Sequence, residues 1–291
     1  MTKSGSWSVV ALAAALALTA DRAAAVDWSD NAFRYSYGGA FTEPGIGSSG
    51  ESVPIKKNIF SFTHVDGYKL GGNFLNVDML FSSIKDPVNN DGNLGATEVY
   101  AIYRHSFSLN KISGRPLFAM GPFADLLLQA GADANTKNTA FAPSKIMPVL
   151  GPVVALRVPG FWNVGVLLNK EWNSNGFATA GGMVSHGGTV VFDLTTMFTT
   201  AWAIPIGSWP FSFEGFGLVN LPKGKDGFGL ETKTEVLFHP KLLWDVGTLW
   251  KGKGYQVGVG YEYWLNKFGE DHNAVVGALQ STFLAEAAIH L

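Results

Sequence analysis

Twelve polar or charged residues repeat at alternate positions along stretches that are otherwise apolar: Arg34, Asp78, Glu98, Arg104, Asp125, Gln129, Asp133, Asn163, Glu171, Asp193, Glu214 and Glu262. Four rings, Tyr100, Phe123, Phe216 and Trp264, share their parity. Carboxylates and amides accept hydrogen bonds from hydroxyls and exocyclic amines. Rings stack on flat bases, at roughly 1–3 kcal/mol each in single-stranded nucleic-acid sites. Gathered around one aqueous passage, such groups suit a neutral, flat, sugar-bearing solute. Several weak sites in series let a solute pass, where one tight site would trap it. A second reading stands beside this one: the charged groups pair with each other and keep the passage wet.

Other chemistry has no support in the motifs. There is no G-x-S-x-G, no H-E-x-x-H and no Walker loop. The six histidines, at 64, 105, 186, 239, 272 and 290, lack metal-ligand spacing, and no cysteine offers a thiolate or a disulfide. No catalytic residue, metal or cofactor is expected. Lys251-Gly252-Lys253-Gly254 precedes no helical pattern, so it reads as a turn rather than a phosphate cradle. A net charge of −2 argues against a nucleic-acid binder.

The elements that carry these residues have a period of two. Leu75, Val77, Met79 and Phe81 alternate with Asn76, Asp78 and Ser82; Val257, Val259, Tyr261 and Tyr263 alternate with Gln256, Gly258, Gly260 and Glu262. A soluble sandwich would turn the apolar face inward, and a membrane barrel would turn it to lipid. Three features favour the barrel. The runs reach ten residues or more, beyond the usual ~5–6 of soluble strands. Aromatics such as Tyr35, Tyr37, Phe107, Trp162, Trp172 and Trp202 sit near run ends, as interfacial girdles do. Short turns alternate with longer loops. Composition agrees: 47% of residues are apolar and only 15% charged, against roughly 25% charged in soluble domains.

Residues 1–25 read as a signal peptide, with Lys3, an apolar Val9–Leu18 and a small-residue cleavage site at Ala23-Ala24-Ala25 before Val26. Its loss removes two basic and one acidic side chain, so 19 − 22 leaves the mature chain near −3. No later apolar run reaches the ~18–20 residues of a membrane helix. Residues 26–291 are thus expected to form one outer-membrane, all-β, antiparallel up-and-down barrel of about twelve strands. They fall near 31–38, 57–66, 69–82, 96–108, 117–133, 146–158, 161–173, 189–204, 209–220, 231–246, 254–266 and 280–291. Short turns are expected at Asp66-Gly67, Leu109–Arg115, Pro159-Gly160, Gly207-Ser208 and Gly247–Gly254. Longer loops are expected near 39–56, 83–95, 134–145, 174–188, 221–230 and 267–279. The last strand alternates through Phe283, Ala285, Ala287 and Ile289 to an apolar Leu291.

Several stretches resemble the Tsx family of nucleoside channels. Trp28-Ser29-Asp30-Asn31 with Phe33-Arg34-Tyr35 is similar to its opening strand. NIFSFTHVDG (Asn58 to Gly67), NFLNVD (Asn73 to Asp78), Glu98-Val99-Tyr100 and Tyr103-Arg104-His105 follow in its order. Then come Asn135 to Asn138, Val158 to Phe161, Ile204 to Gly207, FSFEGF (Phe211 to Phe216), KGKDGF (Lys223 to Phe228) and YEYWLNKFG (Tyr261 to Gly269). The resemblance implies a monomeric twelve-stranded barrel that passes nucleosides and deoxynucleosides by facilitated diffusion through the Gram-negative outer membrane. It also implies outer loops used by phages and colicins. Arg34, Tyr100, Glu214, Phe216 and Trp264 fall in matching motifs and are the implied binding residues.

Three functions stand open: a passive nucleoside channel, a structural or receptor barrel of the related OmpK type, and an outer-membrane hydrolase. The last needs a Ser–His pair on the lipid-facing side. Parity puts His105 outside and Ser106 inside, which separates them.

Overall fold

The computed structural model describes residues 26–291 apart from 49, 89–92 and 176–187. The expected signal peptide, His186 and most of the 174–188 loop lie outside the described residues. Fourteen hydrogen-bonded segments form one antiparallel sheet, and two of them resume interrupted strands, leaving twelve strands in all. In chain order these are β1 (Val26–Phe41), β2 (Ile55–Tyr68), β3 (Gly71–Ser82), β4 (Thr97–Ser108), β5 (Phe123–Lys137) and β6 (Ser144–Leu156). The second half holds β7 (Phe161–Asn169, resumed as Trp172–Asn175), β8 (Gly188–Val191, resumed as Thr195–Pro205), β9 (Phe211–Asn220), β10 (Glu235–Asp245), β11 (Tyr255–Leu265) and β12 (Leu279–His290). Each strand pairs with its sequence neighbours. β1 closes the ring on β12 from Ala32↔His290 to Gly38↔Leu284. Closure leaves the barrel wall without a free edge, apart from Gly188–Val191, which pairs on one side only.

Pairing fixes which side chains point outward. Opposed residues share a face, so Tyr35, Phe60, Met79 and Val99 form one outward row. Exposed apolar groups cover the outside, among them Phe33, Phe60, Met79, Leu128, Leu150, Phe198, Val259 and Phe283. Trp202 also faces out. It lies against Gly215, where an added Cβ would come within 2.6 Å of the indole, and packs on Phe213 and Phe238 at 5.5 Å. Among the described residues no helix is long and apolar enough to cross a membrane.

Several expected boundaries move. β1 starts at Val26 rather than near 31, because Trp28 lies over Gly67, which has no side chain to displace it. The Asp66-Gly67 turn is corrected for the same reason: Gly67 stays in the ladder opposite Gly72, and the chain turns at Lys69-Leu70. β5 runs over 123–137, not 117–133. Pro116, Pro122 and the positive φ of Gly121 keep the preceding segment out of the sheet. At its other end Asn135 and Lys137 pair opposite Tyr100 and Glu98, so the 134–145 loop shrinks. The expected turn 109–115 becomes a longer connection, 109–122. It opens with helix α1 (Leu109–Ser113), capped by Ser108.

The twelve strands give the barrel two unlike ends. Both ends of the described chain lie with the connections 69–70, 109–122, 157–160, 206–210 and 246–254. The opposite end carries the loops 42–54, 83–96, 138–143, 221–234 and 266–278.

Candidate functional site

The candidate site is the barrel interior. The ladder puts Arg34, Asp78, Glu98, Tyr100, Arg104, Asp125, Gln129, Asp133, Asn163, Glu214, Phe216, Glu262 and Trp264 on the inner face. Glu171 falls outside the ladder, in the break of β7 between Asn169 and Trp172, and is buried against Lys223. Two expectations are corrected. A register shift between Phe123 and Asp125 sets Phe123 opposite Leu156, on the outward side. Asp193 falls in the gap that splits β8, is exposed, and donates its backbone N–H to the Lys223 carbonyl.

The inner residues do not converge on a single point. Arg34 of β1 reaches Glu214 of β9 at 3.2 Å, four strands away around the ring, so this pair crosses the lumen. Gln256 and Ser212 also donate to Glu214, at 3.3 and 2.9 Å. Beside it, His239 of β10 lies between Glu262 (2.9 Å) and Glu286 (3.4 Å), and Lys241 stands 3.8 Å from Glu286. Ser36 donates to Glu286 at 2.6 Å. Gly260 makes room for this group: a Cβ there would lie 2.7 Å from the Glu286 carboxylate and 3.2 Å from the imidazole. Asp78, on the facing wall, takes a bond from Asn76 at 2.9 Å.

A second group occupies β4 to β6. Arg104 binds Asp133 at 2.5 Å, Tyr100 donates to Asp133 at 3.1 Å, and Lys145 reaches the Tyr100 hydroxyl at 2.9 Å. Asn135 donates to Glu98 at 3.0 Å. Glu171 is paired with Lys223 at 2.5 Å. Asp125 serves the fold: Ser108 donates to it, and so does the Asn110 backbone at the start of α1.

The three inward rings differ in what they offer. The Lys145 ammonium sits 4.7 Å from the centre of the Tyr100 ring. Trp264 has Lys267 at 4.7 Å and Phe268 at 4.9 Å, with its N–H given to Glu235. Phe216 touches His239 at 5.3 Å and still leaves 37% of its surface exposed to the lumen. It is therefore the inward ring best placed to stack on a solute.

The alternation did not reveal the other wall. Met147, Val149, Val153, Leu167 and Met197 are buried in one cluster, with Leu127 and Leu218 against it. All seven face inward from β5 to β9. The signal was present in β6, where both faces are largely apolar, the pattern of a strand buried on both sides. Phe216 stands at the seam, with Leu218 two residues along its strand on the apolar side and Glu214 two residues along on the ionic side.

The outward pair considered for hydrolysis is split by the wall. His105 is bonded outside to Asn73 and Tyr68, while Ser106 takes a bond from Gln129 inside. Among the described residues no cluster of three or more acidic, histidine or cysteine side chains is arranged to hold a metal ion.

No family model matches the chain. No curated protein matches it either. Solved structures with loose likeness include the translocator domain of the autotransporter NalP from Neisseria meningitidis, 11% identical, covering 97% of this chain and 94% of that one, at a TM-score of 0.45. The β domain of the Bordetella autotransporter BrkA is 11% identical over 90% of this chain and 99% of its own, at 0.39. Pseudomonas putida OprB is 9% identical over 91% and 93%, at 0.29. Such scores bear on no function, and the fold stands on its own strand pairing.

Proposed function

We propose that this protein is a passive channel of the Gram-negative outer membrane, exported by cleavage near Ala25/Val26, and that its solutes are nucleosides and deoxynucleosides. The outward apolar band supports the membrane setting: in water it would be a large exposed apolar surface, and in lipid it is solvated. The observation that carries the solute reading is the two-sided lumen with Phe216 at its seam. A nucleoside has a flat base and a hydroxyl-rich sugar. The base fits against Phe216 and the apolar wall, while the sugar and exocyclic groups fit the carboxylates, amides and imidazole opposite. The ordered resemblance to the Tsx family supports the same assignment. No catalytic step is assigned to the barrel.

The test is single-channel current from purified protein in a planar bilayer. Adenosine or thymidine should reduce the current, and ribose at the same concentration should not. A current indifferent to nucleosides refutes the solute assignment and leaves a channel of other use.

A receptor or structural barrel of the OmpK type is the second reading. The Arg34–Glu214 bridge across the lumen favours it, since a bridged passage conducts poorly. Absence of any wild-type conductance would turn the assignment to this reading.

A further inference from the structure

The start of the first loop, 42–54, folds into the mouth at the loop end, while its tip, a short hairpin of Gly47–Ser48 and Glu51–Ser52, is exposed. Phe41, Thr42 and Glu43 are all buried. Ile46 packs against a cluster of Phe41, Ile55 and Leu284 on the inner wall. Gly45 donates its N–H to the Val276 carbonyl of the last loop at 2.8 Å. Thr42 is tied to β12 through Gln280 at 3.3 Å and the Leu279 carbonyl at 3.0 Å.

One carboxylate organises these contacts. Glu43 binds Lys57 of β2, Lys137 of β5 at 3.2 Å and Lys267 of the last loop at 3.1 Å. Lys137 lies three strands beyond β2, so the carboxylate spans a sizeable arc of the mouth. Lys267 also donates to the Thr42 carbonyl at 2.8 Å and to Gln280 at 3.0 Å. Lys137 adds Asp86 at 2.8 Å. Burial would push the Glu43 carboxyl up, but the three ammoniums outweigh it and hold it well below the usual range, so it stays ionised.

We propose that the first loop is a lid over the lumen, pinned by Glu43, and that this carboxylate also sets the charge preference of the mouth. The inference rests on the channel reading. With the pin in place the mouth holds three lysines against Glu43, Asp86 and Glu98. Removing the Glu43 charge leaves the lysines in excess, and removing Lys137 leaves the carboxylates less opposed. The two changes loosen the same lid but tilt the charge in opposite directions.

The experiment compares wild type, Glu43→Gln and Lys137→Gln in planar bilayers under a KCl gradient, with folding checked by heat-modifiable migration on a gel. Both variants should raise the conductance, by about two-fold or more if the lid limits the current. The reversal potential should move toward the chloride potential in Glu43→Gln and toward the potassium potential in Lys137→Gln. If either variant fails to fold, the other still tests both the opening and the sign of its shift. Unchanged conductance and reversal potential in the folded variants overturn the lid and leave the channel standing. A silent wild type with conducting variants upholds the lid and refutes an open nucleoside channel. Silence in all three overturns both.

Discussion

From β5 to β9 the inner wall carries the apolar cluster Leu127, Met147, Val149, Val153, Leu167, Met197 and Leu218, beside the Asp133 and Lys145 that bond to β4. From β10 round through β12 and β1 to β4 it carries His239, Lys241, Glu262, Glu286, Arg34, Asp78 and Arg104, nearly all paired. Both halves are much buried, yet different quantities stabilise them. The apolar half depends on volume, because close-packed side chains gain from filled space. The ionic half depends on charge, because each buried ion is tolerated only while its partner is present. A substitution that keeps shape and alters charge should therefore hurt one half and barely touch the other.

The largest effect is expected at Glu286, which joins His239, Lys241 and Ser36. Glu286→Gln keeps the volume and removes the charge, and should lower unfolding stability in detergent by about 3–5 kcal/mol, as for other broken buried pairs. A loss below that of Leu167→Met would break the comparison. Next is the seam. Phe216→Ala should raise the adenosine concentration needed to block the current by roughly tenfold or more, since base–ring stacking contributes about 1–3 kcal/mol. Trp264→Ala should shift it less, because Lys267 and Phe268 already cover that ring. Equal shifts would mean that the solute path runs nearer the loop end. In the apolar half, Leu167→Met nearly conserves volume and should cost under about 1.5 kcal/mol in the same denaturation assay.

The smallest effect lies in the loops, where charge environment again decides. Three lysines hold Glu43 low. Burial, then the neighbouring Asp226, raises Glu270 to about 7. The folded state thus favours the protonated Glu270. Its contribution is fully present below the ordinary value of 4.5 and is lost as pH rises through about 7. Hydrogen exchange in loops 221–234 and 266–278 should be slower at pH 5 than at pH 8 after correction for intrinsic rates, and Glu270→Gln should flatten the difference. A difference that persists in the variant would assign the pH response to another group.

Much of this was legible in the chain. Alternation in β3, β9 and β11 placed Asp78, Glu214, Phe216, Glu262 and Trp264 on the inner face, because a pleated strand has a strict period of two. The same rule gave Tyr263 the outside. It failed at Phe123, where a register shift inserts a residue, and such a shift leaves no mark in the pattern. It was silent on β6, whose Met147, Val149 and Val153 are as apolar as their outward neighbours. Gly67 misled because a glycine that admits an indole reads like one that makes a turn.

The sequence alone determined the class of fold, the number of strands and, for most strands, which side chains face the lumen. All of these follow from local alternation. Partnership was decided only by closure of the barrel. Arg34 meets Glu214 from 180 residues away, and Glu43 meets Lys267 from 224. Neither separation has a period. The curvature of a closed sheet decides which inward groups come within hydrogen-bonding reach, and that curvature belongs to the whole ring of strands.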